Sequence, residues 1–363
     1  MVALNSYQTM RKAMKLIALN MLRVAAVCML SAMIASSSSA VTRSTQYGGQ
    51  AKEQSADKNK QAGPSDAEQK AMAKIEAVPD LAGKIAAAGE FVKKYPKSTM
   101  RSKVVTYVVL EANKIDDAAQ RVTQLENAQA AFREPSDAQV IAPILIEAYF
   151  VQNRFDDLFR VASEHLAKNQ TDLAVLTRVS LIGIDQAKLR NAKFAGPSQQ
   201  YGAKAIEIIE SGKKPDAFDD AKWAEYQTRW LPQLYQSLGM LALLTGNNAE
   251  ARTRIDKSVA LNSKEPFTYV LLGSLLNDEY QKLAEQHKTM SSGPMKDSVL
   301  KQAHAKLDEI VDAYAHAVGL AEGNETYKQL HDQILQDLQS YYKYRHGGST
   351  DGLQQLIDKY KQP

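Results

Sequence analysis

Cysteine is almost missing: Cys28 is the single one in 363 residues, which excludes an internal disulfide and any paired-thiol redox or zinc motif. Gly and Pro are modest at 18 and 11, Trp occurs twice, and Ala, Gln, Lys and Leu are abundant. That composition favours an all-helical chain. An excess of one charge is missing too. Of the 45 Lys and Arg, four (Arg11, Lys12, Lys15 and Arg23) lie in residues 1–40, where no Asp or Glu occurs. The other 41 are matched by 41 acidic residues, so the balance beyond residue 40 points neither to nucleic acid nor to an anionic membrane.

Catalytic motifs are missing as well. The six histidines, His165, His287, His304, His316, His331 and His346, never fall three or four apart, and no His-Glu-x-x-His occurs, so no helix presents a metal-binding pair. Neither a Gly-rich phosphate loop nor a Gly-x-Ser-x-Gly elbow is present. Acidic neighbours such as Asp156 and Asp157, Asp219 and Asp220, or Asp308 and Glu309 diverge by about 100° on a helix and cannot face each other as acid and base. The expectation is a non-catalytic chain without cofactor or metal, with a small-ligand-binding or enzymatic role as the least favoured alternative.

What is present is a period. From Pro232, Tyr235, Leu238, Gly239, Gly246, Ala251 and Ile255 follow at fixed offsets, and Pro266, Tyr269, Leu272 and Gly273 restart the pattern. The period is 34 residues. Gly239, Gly273 and Ala251 mark points of close approach between paired helices, and Gly246 ends a first helix because Gly readily takes the left-handed conformation needed there. A 34-residue helix-turn-helix period with small residues at these places resembles the tetratricopeptide repeat. One such unit cannot bury its apolar face alone, so stacked neighbours are expected.

Along the chain, residues 1–40 read as an export signal: a basic start, an apolar run over 24–35 broken by Ser31, and Ser38-Ser39-Ala40 for cleavage after Ala40. An uncleaved inner-membrane anchor is the alternative, against which Arg23 interrupts the apolar stretch. Residues 41–65 form a polar linker closed by Gly63-Pro64-Ser65, too poor in apolar side chains to offset ordering. Over 66–134, degenerate helical pairs are expected. Ala71, Ile75 and Val78 share one face, Leu81, Ile85 and Phe91 another that stops at Tyr95-Pro96, and Val104, Val108 and Ala112 a third. Over 135–231 come repeats counted from Gln139 and Leu173, an extended loop over 192–200 containing Gly196-Pro197, and an extra helix over 217–230. Residues 232–323 hold the two best repeats, the second with an insertion of roughly 20–30 residues around Ser291 to Pro294, read either as protruding helices for a partner contact or as a lengthened hairpin. Residues 324–363 supply capping helices.

This layout resembles exported tetratricopeptide repeat (TPR) proteins of Gram-negative bacteria. The resemblance implies an all-α, right-handed superhelical solenoid that binds a protein or peptide segment and scaffolds rather than catalyses, without inserting in a membrane or binding nucleic acid. The phrase Glu90-Phe91-Val92-Lys93-Lys94-Tyr95-Pro96-Lys97-Ser98 resembles the end of the second helix in repeats of outer-membrane assembly lipoproteins, which implies a second role in assembly or secretion. Family groove offsets fall here on Gln233, Gln236, Met240, Leu243 and Leu244, then on Phe267, Val270, Ser274, Asn277 and Asp278. In the Gln139 copy they fall on Val140, Pro143, Glu147, Phe150 and Val151. These positions are apolar and amide-rich, unlike the Lys- and Arg-bearing groove of relatives that clamp acidic tails. Trp223, Tyr226 and Trp230 share one helix face, and Tyr341, Tyr342 and Tyr344 cluster; helix-helix core is the expectation for both, with a stacking platform for sugar or peptide as the alternative.

Overall fold

The computed structural model describes residues 63–216 and 218–361; the expected export signal and most of the linker lie outside them. Among the described residues every regular element is helical, and the helices pack in consecutive pairs. The chain divides into two units, one ending at Val179 and one beginning at Ser180.

The first unit holds α1 (Asp66–Ala77), α2 (Leu81–Lys94), α3 (Arg101–Asn113), α4 (Ala118–Ala131), α5 (Pro135–Val151) and α6 (Phe155–Lys168), and ends inside α7 (Leu173–Lys188). Its starts follow from the sequence. Ser65 and Glu68 form a reciprocal capping box on α1, and the carboxylates of Asp80 and Asp117 accept from Gly83 and Gln120 to start α2 and α4. Each such cap contributes about 1 kcal/mol. The α2 helix stops at Tyr95 ahead of Pro96, and the Tyr95 ring packs on Phe91 at 5.1 Å. In α3, Val104, Val105, Val108, Val109 and Ala112 are all fully buried. Adjacent valines pointing in different directions can all be buried because α2, α4 and α5 each pack against this helix. Burial of two faces thus outweighs the weak helix propensity of β-branched residues. Arg101 at the start of α3 holds the buried Asp137 of α5 with two hydrogen bonds of 2.9 and 2.7 Å, which satisfies a carboxylate that could not otherwise be buried.

The second unit holds α8 (Ala195–Glu210), α9 (Asp220–Leu244), α10 (Asn248–Leu261), α11 (Pro266–Thr289), α12 (Pro294–Ala321), α13 (Lys328–Arg345) and α14 (Leu353–Asp358). The paired helices α9/α10 and α11/α12 form its centre, with α10 on α11 and α12 on α13 continuing the series. Gly246 ends α9 at φ +77°, as expected for a left-handed helix end. A side chain on Gly239 would come within 2.9 Å of Ile255 Cγ1 on α10, so the close approach expected there is present.

Two elements differ from the sequence reading. Residues 192–200 form no extended loop: a short 3-10 turn (Ala192–Phe194) runs straight into α8, which contains Gly196 and Pro197 in its first turn. Proline fits there because the first turn's N–H groups have no helical acceptor. The extra helix before Pro232 is not separate. The α9 helix runs through Pro232, which is buried and lacks the N–H of a regular helical residue. The insertion is a lengthened hairpin, one of the two readings of the sequence: α11 has 24 residues and α12 has 28, with Gly293 at φ +152° ending the turn between them.

Candidate partner-binding groove

The groove candidates lie on α9, α11 and, in the first unit, α5. On α9 and α11 the structure divides them. Met240, Phe267 and Val270 are buried at 1, 3 and 4% exposure, so they belong to the packing of the repeats and present no surface to a partner. Gln236 is buried too, and its Nε2 donates to Thr268 Oγ1 at 2.7 Å. Beside it Ser258 Oγ donates to the Pro232 carbonyl at 3.0 Å. These polar groups from α9, α10 and α11 satisfy one another inside an apolar interior, where each alone would be costly.

The remaining candidates reach solvent. Leu244 and Asp278 are exposed, while Gln233, Leu243, Ser274 and Asn277 are half-buried. The Asn277 carboxamide oxygen accepts from Tyr341 Oη at 2.9 Å, which ties α11 to α13 at the edge of this strip. Gln281, one turn on, also donates to it. Below that edge lies Asp337 of α13, whose carboxyl is pushed up to about 6 by burial. Its charge in turn raises the hydroxyls of Tyr314 and Tyr341 above the ordinary tyrosine value, although burial is the larger cause for both.

In the first unit, Val140, Pro143, Glu147 and Phe150 of α5 are half-buried and Val151 is exposed. Glu147 accepts from the Arg178 fork at 2.6 and 2.8 Å, and the same guanidinium lies over the Phe150 ring at 4.6 Å. One cation therefore neutralises the acidic candidate and covers the aromatic one.

The aromatic stripes are core with open edges. Trp223 is buried and lies parallel to Tyr226 at 6.2 Å, with Phe218 edge-on to both. Tyr226 and Trp230 are half-buried. Tyr341 and Tyr342 are buried, whereas Tyr344 is 63% exposed. No sequence signal marks the stacking of His316 between Tyr269 and Tyr360, since the three rings come from positions far apart in the chain. His165 is buried with Nε2 on Asp172 at 2.7 Å. Among the described residues there is no group of three or more His, Cys, Asp or Glu that could hold a metal, and no helix long and apolar enough to cross a membrane.

No protein-family model and no curated protein matches this chain. Among solved structures it is similar to a thermophilic TPR protein of Thermus thermophilus, with 14% identity, 65% of this chain and 99% of that one covered, and a TM-score of 0.33. It is also similar to pilF of Pseudomonas aeruginosa, at 15% identity, 71% and 97% coverage and a TM-score of 0.34. A tetratricopeptide repeat protein of Parabacteroides merdae gives 14%, 75% and 100%, and 0.28. TM-scores this low leave the fold to be read from this chain's own helices, which are all-α and packed pair on pair.

Proposed function

We propose that this chain is a non-catalytic scaffold that holds a protein segment along the open strip of α9 and α11. The observation carrying this reading is the division on those helices: Met240, Phe267 and Val270 are spent on packing, while Leu243, Leu244, Ser274 and Asp278 remain accessible in the same repeats. An apolar pair on α9 with a hydroxyl and a carboxylate on α11 suits an extended or helical peptide with mixed side chains, and stacked helix pairs of this kind offer long surfaces for it. Residues 1–40 act as an export signal in this reading, with residues 41–65 as a linker, and the scaffold then works in a bacterial cell envelope. A role in outer-membrane protein assembly or secretion is the second form of the proposal, favoured by the Tyr95-Pro96 stop that closes α2.

The test is photo-crosslinking in cells that produce the full chain, with the reactive side chain at Leu244, Ser274 or Asp278 and, for comparison, at the exposed Lys257 on α10. A discrete adduct from the first three positions and none from Lys257 is expected. Equal labelling at all four positions would sink the groove, and recovery of the chain from the cytoplasm would sink the envelope location.

A further inference from the structure

We infer that the C-terminal segment from Gly352 to Tyr360 is an acid-sensitive latch on α12, closed by the imidazole of His316. The latch has little room to move. At Gly319 an added side chain would stand 2.7 Å from the Ile357 carbonyl and 2.9 Å from Tyr360, so the segment lies against bare α12 backbone. Leu353 and Ile357 are buried there. One turn before Gly319 along α12, His316 is covered on both ring faces. Tyr269 of α11 stacks on one side with ring centroids 3.7 Å apart and planes 20° apart, and Tyr360 stacks on the other at 4.1 Å and 13°. The Tyr360 hydroxyl donates to Asp312, a turn earlier on α12. The histidine ring is thus shared between the body of the repeat and the end of the chain, and opening the latch bares one of its faces.

The charged and titratable groups around the imidazole come from each element packed on it. Asp312 stands on its own helix, Lys359 and Tyr360 on the latch and Tyr269 on α11. Burial between the two rings disfavours the imidazolium most, Lys359 disfavours it further, and Asp312 opposes both, leaving the group below its ordinary value of 6.5. A histidine lowered in the closed state binds fewer protons there than in the open one. Closure is therefore strongest above pH 6.5 and weakens as the pH falls from 6.5 towards the lowered value. If opening restores the ordinary value, the loss reaches at most about tenfold in the closing equilibrium at about pH 5.5.

Amide hydrogen exchange on the full chain reads this equilibrium directly. After correction for intrinsic rates, protection of residues 353–360 is expected to fall about two- to tenfold between about pH 7.5 and 5.5, with α10 unchanged. His316→Phe keeps a stacking ring that cannot titrate, and should make protection of the segment independent of pH. Unchanged protection in the native chain, or the same pH-dependent loss in His316→Phe, would overturn the latch. Should that variant fail to fold, an NMR titration of His316 in the native chain decides: a value below 6.5 supports the latch, and one at or above 6.5 overturns it.

Discussion

The α9/α10 and α11/α12 pairs carry a glycine at the same offset of the same 34-residue pattern, yet they use it differently. Gly239 makes room for an aliphatic neighbour: the clash on adding a side chain is with Ile255 Cγ1 at 2.9 Å. Gly273 makes room for a ring. A side chain there would stand 2.2 Å from Tyr314 Cε1, and Tyr314 is buried against Tyr341 of α13 with ring centroids 5.8 Å apart. A repeat offset therefore specifies that something must be small, while the neighbour that fills the space is chosen by the next helix pair. In the lengthened α11/α12 pair that neighbour is a ring of α12 packed on Tyr341 of α13.

The largest expected effect separates packing from surface within one helix. Met240→Lys puts an unpaired charge at a position 1% exposed and should cost at least about 3 kcal/mol, whereas Leu244→Lys, on the accessible side, should stay within about 0.5 kcal/mol of the native chain. Urea denaturation of the two variants checks this, and equal midpoints would break the division on which the groove rests. Next comes the glycine contrast itself. Gly273→Ala must displace a buried ring and should cost about 3 kcal/mol, and Gly239→Ala, facing one methylene, about 1 kcal/mol. Reversal of that order in thermal unfolding would show that the ring yields more easily than the aliphatic chain.

The third effect, seen only at one end of the pH range, concerns Asp337, on the aromatic side of the comparison. Its carboxyl is raised to about 6 from 3.8, so the folded state holds the proton more tightly than the unfolded one. Stability contributed by this group is highest below pH 3.8, falls as the pH rises through 6 and is level above it. Asp337→Asn should therefore gain up to about 2 kcal/mol at about pH 8 and little at about pH 4, read from urea midpoints at both values. No pH dependence in the gain would place the carboxylate in water.

Much of the helical scheme was legible because local chemistry set it. The Tyr95-Pro96 stop and the Gly246 end each act over a few residues and stand where the spacing puts them. The stretches that differ around residues 192–200 and 217–231 share one cause, a proline that reads as a boundary. Pro197 sits in a first turn where its missing N–H costs nothing, and Pro232 is carried inside α9 by burial around it. The candidate positions were legible only as repeat offsets. Groove offsets assume an open inner face, but α9 packs against α11, and the Gln236 to Thr268 bond shows how neighbouring first helices close over positions that a lone repeat would expose. The ring stack on His316 had no signature at all, since stacking partners separated by tens of residues leave no periodic trace.

The Gln236, Thr268 and Ser258 cluster carries one further consequence, for how the molecule comes apart. Apolar side chains tolerate a helix sliding by a turn, because one methyl group replaces another. Three hydrogen-bonding groups from three helices have only one alignment in which all are satisfied, and any slip strands them in a dry interior. The cluster therefore acts as a keyed joint between successive repeats. The expected consequence is that α9, α10 and α11 melt as a single block rather than helix by helix.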